Sequence, residues 1–298
     1  MAVEDRLKSL VEALTQALLP ACDCRSEAES QAWQLLQFVT GLSRGMLLTH
    51  PGRCLPRAQH EQLAALVARR IQERMPLQYL LGSVPFLDLT IAVRPPTLIP
   101  RPETEEWVAW LINQLQPVRH EPLRILDLCT GSGCIALALA QAFPRARVVG
   151  VDIASEAIAL AQENARANGV SNGEFVVGDV ASATLSLAPA RFDLVVSNPP
   201  YITQDEFASL APEVAAWEDK RALVASEHGL ALYRALAKGL VSWLDTQGIL
   251  AKRGLPVFVC ELGTDARPVE SLFSPFFSGN VSLHADLQGL DRWLVGRI

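Results

Sequence analysis

The chain has no cysteine pair at the spacing of a metal module. Its six cysteines, Cys22, Cys24, Cys54, Cys129, Cys134 and Cys260, are scattered, and the lone Cys22-Asp23-Cys24 has no histidine nearby. Free thiols in a reducing compartment are therefore expected, not zinc or disulfides, and no metal is expected. Long apolar runs are missing too. The longest, Cys134 to Ala140, falls far short of the roughly twenty residues a membrane helix needs. Glu4, Asp5 and Glu12 occupy the N-terminal stretch, where a signal peptide would carry basic residues and then an apolar core, and a transit peptide would be rich in arginine. A cytoplasmic protein is expected; a mitochondrial-matrix location would need unconventional targeting. There is no excess of positive charge: the formal net charge is −6. That argues against direct nucleic-acid binding, which usually needs a basic face. The five histidines, His50, His60, His120, His228 and His284, have no acid–nucleophile arrangement around them and read as surface or packing residues. No internal repeat is evident.

What is present is enough for two domains: 298 residues, half of them hydrophobic. The first eighty or so residues read as helices. Leu7, Leu10, Val11, Leu14 and Leu18 recur at three- and four-residue spacing and predict a helix over Val3 to Leu19, stopped by Pro20. Ser26 with Glu29 predicts a capping box for a second helix through Phe38, closed by Gly41. A third helix is predicted from Arg57 to Met75, ended by Pro76. The pattern then changes. Val84 to Val93 alternates like strands, and the proline-dense stretch Pro95 to Pro102 is stiff and extended. The expected division is a helical partner-binding domain over 1–82, a β-hairpin and proline-rich linker over 83–101, and a catalytic domain over 102–298.

From Leu123 onward, strands and helices alternate. Strands are predicted at Arg124–Leu128, Val148–Val151, Phe175–Val177, Phe192–Ser197, Val257–Glu261, Leu283–Asp286 and Trp293–Val295. Helices are predicted at Glu103–Leu115, Cys134–Ala142, Ser155–Asn168 and Leu230–Leu244. Such alternation implies an α/β domain with a parallel sheet flanked by helices. Its ligand is expected beyond the carboxyl ends of the strands.

The candidate chemistry lies at those ends. Asp127-Leu128-Cys129-Thr130-Gly131-Ser132-Gly133 joins a strand to a helix, with glycines that let backbone approach a ligand. Asp127 can accept from a ligand ammonium. Asp152, about twenty residues on, stands where a carboxylate commonly binds ribose hydroxyls. Asp179, after the third strand, can accept from an adenine amino group, with Val180 beside it. Gly131, Gly133 and Ala136 also read as a dinucleotide fingerprint, so the glycines alone leave NAD and S-adenosylmethionine both open. Asp127 tilts the choice, because a carboxylate suits a cationic sulfonium better than a pyrophosphate.

Asn198-Pro199-Pro200-Tyr201, directly after an apolar strand, tilts it further. Methyl transfer from sulfonium is an in-line displacement, so positioning of the acceptor dominates. A planar amide or exocyclic amino nitrogen is a poor nucleophile. The Asn198 side-chain oxygen and the Pro199 carbonyl can hold its two hydrogens and stabilise the positive charge that develops. Pro199 and Pro200 stiffen the turn, and Tyr201 offers a face to the planar group.

Taken together, Ile99-Pro-Arg-Pro-Glu-Thr-Glu105, Asp127 to Gly133, Asn198 to Ile202 and the final Asp286-Leu-Gln-Gly-Leu-Asp-Arg292 resemble the HemK/PrmC family, glutamine methyltransferases acting on peptide chain release factors. The resemblance covers nearly the whole chain. It implies a seven-stranded, Rossmann-like class I methyltransferase domain preceded by a small all-helical domain, with S-adenosyl-L-methionine as cofactor. It further implies that Cys129 to Gly133 (with Thr130 and Ser132), Asp152, Asp179 and Val180 line the cofactor. Asn198 to Tyr201 would then hold the glutamine of a Gly-Gly-Gln loop in a class I release factor. Cys129 stands where glycine is frequent, Val180 where an aromatic is common, and the stretch Leu244–Leu255 is longer than usual. The Cys129 variant also occurs in a sister group acting on a ribosomal protein glutamine; Ile99 to Glu105 favours the release-factor branch. The rivals are an adenine amino methyltransferase, a dinucleotide oxidoreductase that leaves Asn198 to Tyr201 unexplained, and a binding module that would need neither Asn198 nor Asp152.

Overall fold

In a computed structural model, residues 3–49, 54–182, 191–263 and 265–298 are described; His50 lies outside them. Along the chain run α1 (Val3–Leu18), α2 (Arg25–Thr40), α3 (Arg44–Thr49), α4 (Arg57–Gln72), α5 (Leu77–Leu81), β1 (Ser83–Phe86), β2 (Leu89–Ala92) and α6 (Pro102–Gln114). Then come β3 (Arg124–Leu128), α7 (Cys134–Ala142), β4 (Arg147–Asp152), α8 (Ser155–Ala167), β5 (Gly173–Val177) and β6 (Leu194–Ser197). Three short helices follow, α9 (Gln204–Ala208), α10 (Pro212–Ala215) and α11 (Lys220–Leu223). The chain closes with α12 (Ala231–Trp243), α13 (Ile249–Lys252), β7 (Phe258–Glu261), α14 (Ala266–Phe273), β8 (Val281–Ala285) and β9 (Asp291–Gly296). Among the described residues no helix is long and apolar enough to cross a membrane, and no group of three or more His, Cys, Asp or Glu could hold a metal ion.

The chain forms two compact units. The first contains residues 1–82 and also 212–217; the second contains 83–211 and 218–298. In the first, the periodic leucines of the sequence make one core: Leu14 and Leu18 of α1, Leu35 and Leu36 of α2, Leu63 and Val67 of α4. The capping box expected at Ser26 and Glu29 is absent. Helix α2 begins two residues earlier, at Arg25, with Cys24 at the N-cap and no side-chain cap bond. Ser26 is inside the helix and bonded to the Cys24 thiol instead. Gly41 closes α2 at φ +69°, as a left-handed C-cap. The predicted third helix stops at Gln72, short of Met75, and a separate turn of helix follows Pro76.

Residues 212–217 join this unit through charge. Arg70 is buried, and its guanidinium donates to Gln31 Oε1, to the Ala21 carbonyl and to Glu213 Oε1. Arg74 reaches the same Glu213 oxygen at 2.7 Å, and Trp217 Nε1 donates to the Glu73 carbonyl. Burial pushes the Glu213 carboxyl up, but the bonds from Arg70 and Arg74 outweigh it and hold it below the usual range.

The second unit is built on a seven-stranded sheet in the order β5-β4-β3-β6-β7-β9-β8. Strands β3 to β7 are mutually parallel, and β9 runs antiparallel to both β7 and β8. Strands β6 and β7 are buried at every residue, which accounts for the apolar runs 194–196 and 258–260, each followed by a buried polar residue, Ser197 and Glu261. Helix α8 packs on β4 and β5, and α14 on β8 and β9. The hairpin β1–β2 belongs to this unit. Asn164 and Asn168 of α8 explain why. Asn164 Oδ1 accepts from Ala92 N and its Nδ2 donates to the Ala92 carbonyl; Asn168 does the same with Thr90. Two side-chain amides thus satisfy backbone groups of β2 as a neighbouring strand would.

Candidate active site

Four turns at the carboxyl ends of β3, β4, β5 and β6 carry the residues singled out in the sequence. After β3 the chain turns through Cys129 to Gly133 into α7. Cys129 takes φ +62° and Gly133 φ +83°. A Cβ on Gly133 would stand 2.9 Å from Ala161 Cβ, so glycine here both permits the left-handed turn and lets the loop seat against α8. Thr130 Oγ1 donates to Asp127 Oδ2 at 2.6 Å, and Ala136 N donates to the same oxygen at 3.2 Å. Asp127 therefore caps the start of α7 with one oxygen. Its other oxygen, Oδ1, is buried without a partner among the described residues. Burial, against those two bonds and with Asp152 nearby, pushes its pKa up to about 7.

Asp152 closes β4. Its Oδ2 accepts from Gly131 N and its Oδ1 from Ala154 N, at 2.8 and 2.9 Å. Two carboxylate oxygens offer about four acceptor positions, so the group retains capacity for a diol. Burial raises its pKa against these bonds. Asp179 follows β5 and accepts from Ala181 N at 2.8 Å.

These turns surround a cavity of about 200 Å³. Cys129, Gly131, Asp152, Asp179, Val180, Asn198 and Pro200 line it; Asp127, Thr130, Ser132, Gly133, Pro199 and Tyr201 do not. Thr130 and Ser132 are buried and support the loop from behind. Other walls belong to no sequence motif: Leu98 from the proline-dense stretch, Ile153 after Asp152, and Glu156, Asp219 and Arg221. Ile153 is 53% exposed. That exposure beside a strand-end carboxylate is a property of the fold, and nothing in the sequence marked it. Arg221 donates to both Asp219 and Glu156, so the cavity's cation is neutralised and Asp152 and Asp179 leave the lining acidic.

The Asn198 turn is held from several sides. Ser197 Oγ donates to the Leu128 carbonyl, tying β6 to β3. Ile202 N donates to Leu223 O, and Ala225 N to Ile202 O. The Tyr201 ring lies against Gly263, where a Cβ would stand 2.9 Å from Tyr201 Cδ2; only glycine leaves room for it. Burial pushes the Tyr201 phenol up, so it stays neutral. Asn198 Nδ2 donates to Thr104 Oγ1 at 3.2 Å, which turns its amide oxygen the other way.

The lining fits S-adenosylmethionine: hydrogen-bond acceptors at successive strand ends, an apolar wall of Ile153 and Val180, and acid in place of the cations a pyrophosphate would need. Fold and site together define a class I S-adenosylmethionine-dependent methyltransferase. Comparison with known proteins narrows this. A family described as "Methyltransferase domain" matches residues 119–228, and one described as "PrmC N-terminal domain" matches residues 10–82. The release factor glutamine methyltransferase of Koribacter versatilis is 36% identical over 293 residues, covering 97% of this chain and 98% of that one. That of Cereibacter sphaeroides is 35% identical over 302 residues, covering 100% and 99%. The chain belongs to the family of release factor glutamine methyltransferases. The solved hMettl16 catalytic domain, in complex with MAT2A 3′UTR hairpin 6, is 19% identical with a TM-score of 0.50 over 80% of this chain and 81% of that one; it shares the fold.

Proposed function

We propose that this enzyme methylates the side-chain amide nitrogen of the glutamine in the Gly-Gly-Gln motif of a class I peptide chain release factor, in the cytoplasm. The observation that carries this reading is the Asn198 amide, whose nitrogen is engaged by Thr104 while its residue lines the cavity. Its oxygen is left to accept from an acceptor amide. When bound, S-adenosyl-L-methionine supplies an activated methyl group on a cationic sulfur. The Asp152 carboxylate holds ribose hydroxyls, Asp179 accepts from the adenine amino group, and Ile153 with Val180 forms the wall against the ring. Cys129 to Gly133 bring backbone close to the cofactor's amino-acid end, and Asp127, buried behind that loop, steadies it through Thr130 and Ala136.

Asn198 Oδ1 and the Pro199 carbonyl accept the two hydrogens of the glutamine amide. Both dipoles are fixed before the reaction, so they stabilise the positive charge that grows on nitrogen without reorganising. Pro200 stiffens the turn, and Tyr201 packs against the planar group. Residues 1–82 serve as the docking surface for the partner, so that remote contacts help position the glutamine. No direct nucleic-acid contact is needed.

The test is to incubate the protein with methyl-labelled S-adenosylmethionine and, separately, an intact release factor, ribosomal proteins and DNA. Label is expected on the release factor and to be lost when its glutamine is replaced. Label on ribosomal protein or DNA alone would replace this reading with one of its rivals.

A further inference from the structure

The motif Ile99 to Glu105 runs into α6 and carries there a threonine whose purpose is not visible in the sequence. Thr104 is the third residue of α6 and is 2% exposed. Trp107, one turn on, is on the same inward face and fully buried. Glu261 ends β7 and is 2% exposed. The pairing of Ser197 with Cys260 puts Asn198 and Glu261 at the next position of adjacent strands. Across this space Thr104 Oγ1 donates to Glu261 Oε2 at 2.6 Å, Trp107 Nε1 donates to the same oxygen at 2.9 Å, and Asn198 Nδ2 donates to Thr104 Oγ1 at 3.2 Å.

The direction of this chain follows from donor inventory. An indole nitrogen only donates, so Glu261 Oε2 is an acceptor towards Trp107. Burial pushes the Glu261 carboxyl up against these two bonds, but Oε2 already accepts from Trp107, so a proton on this group would sit on Oε1 and the Thr104 hydroxyl spends its single proton on Oε2. Thr104 Oγ1 can then only accept from its other neighbour. Asn198 must present its NH₂ group to it and its carbonyl oxygen elsewhere. The reversed amide would set its oxygen lone pairs against those of the buried Thr104 hydroxyl. We infer that Thr104, with its proton committed to Glu261, sets the orientation of the Asn198 amide and is a positioning residue for methyl transfer. The inference rests on the assignment of Asn198 to the acceptor amide.

Shape and hydrogen bonding can be separated at this position. Thr104→Val keeps the branched shape and loses the hydroxyl; Thr104→Ser keeps the hydroxyl and loses a methyl. Positioning through Asn198 requires kcat of Thr104→Val to fall roughly ten- to a hundredfold, with the KM for the acceptor and the calorimetric Kd for S-adenosylmethionine nearly unchanged. Thr104→Ser should stay within about threefold of the parent. A packing role predicts the reverse order. In an Asn198→Ala background, which by itself should lower kcat by about two to three orders of magnitude, Thr104→Val should cost little more, because the group it orients is gone. If Thr104→Val folds poorly, Thr104→Ala is used in the same cycle. Parent-like kcat in Thr104→Val, serine no better than valine, or additive losses in the double variant would each overturn the inference while leaving Asn198 in place. Parent-like kcat in Asn198→Ala would instead overturn the role given to Asn198.

Discussion

Asp152 meets the loop through Gly131 N on one side and the cavity on the other. If its free acceptor positions bind ribose hydroxyls, Asp152→Ala loses charged hydrogen bonds worth roughly 1.5–3 kcal/mol, and cofactor affinity falls about ten- to a hundredfold. Calorimetry giving an unchanged Kd in a folded variant would remove Asp152 from the site. Asp127 makes a different prediction, about pH. Its folded pKa of about 7 lies above the ordinary 3.8, so folding disfavours its charged form. The penalty is fully present above pH 7, fades as pH falls, and is gone below the unfolded pKa. Between about pH 4 and 7 it lowers stability as pH rises, by on the order of a few kcal/mol. Asp127→Asn keeps an oxygen for Thr130 and Ala136 and cannot ionise. Urea unfolding across this window should show a flatter pH dependence in the variant; parallel curves would mean Asp127 is already ionised at pH 5.

Elements are tied by polar side chains reaching far along the sequence. Glu213 is 15% exposed at its side chain and is shared by Arg70 and Arg74. Removing it leaves the buried Arg70 without its charge partner. Breaking such a pair costs about 3 kcal/mol, so Glu213→Ala should destabilise the first unit by about that amount. Its carboxyl is held below the usual range, so its contribution is present above the unfolded pKa and is lost as pH falls through the folded one. The loss in Glu213→Ala should therefore shrink below about pH 4. Denaturant melts at pH 7 and in acid would check both points; an equal loss at both would show that packing, not charge, holds 212–217. The same level explains where periodicity misled. Ser26 and Glu29 satisfy the spacing of a capping box, yet Cys24 begins α2 and Ser26 lies within it. A capping box does form at Thr203 and Glu206, at the start of α9, on a helix too short to show periodicity. Leu77–Leu81 likewise follows Pro76 as a single turn of helix that carries no repeat to read.

At the scale of the whole molecule, the helical unit has a hydrophobic core of its own. It nevertheless leaves Phe38 and Leu48 44% and 55% exposed. If this unit docks the partner, charge at these positions should cost remote binding energy. Phe38→Asp and Leu48→Asp are each expected to raise KM for an intact release factor about tenfold, equivalent to about 1.4 kcal/mol. Cofactor affinity and turnover of a short Gly-Gly-Gln peptide should stay as in the parent. Steady-state kinetics with both substrates makes the comparison, and an unchanged KM for the intact factor would move docking to other surfaces.

Local pattern alone encodes several of these features. The leucine spacing of α1, the apolar run of β6 and the left-handed Gly41 each follow from a few neighbouring residues. So does the succession of strand-end aspartates, Asp127, Asp152 and Asp179, because a parallel sheet sends every such end to one edge. The class of enzyme could be read from those positions and from Asn198 to Tyr201. Only the tertiary structure decided which of them face the cavity: Asp127 turned inward to cap α7, while Ile153 and Leu98, unremarkable in sequence, form its walls. It also drew 83–101 into the catalytic unit through Asn164 and Asn168, and 212–217 into the helical one through Arg70. The link from Asn198 to Thr104 and Glu261 joins residues 94 and 157 positions apart from Thr104. A single hydroxyl, amide or carboxylate has no periodicity, and its partner is chosen by burial. Removed from water, it must bond to whatever polar group the packing of strands and helices brings within reach.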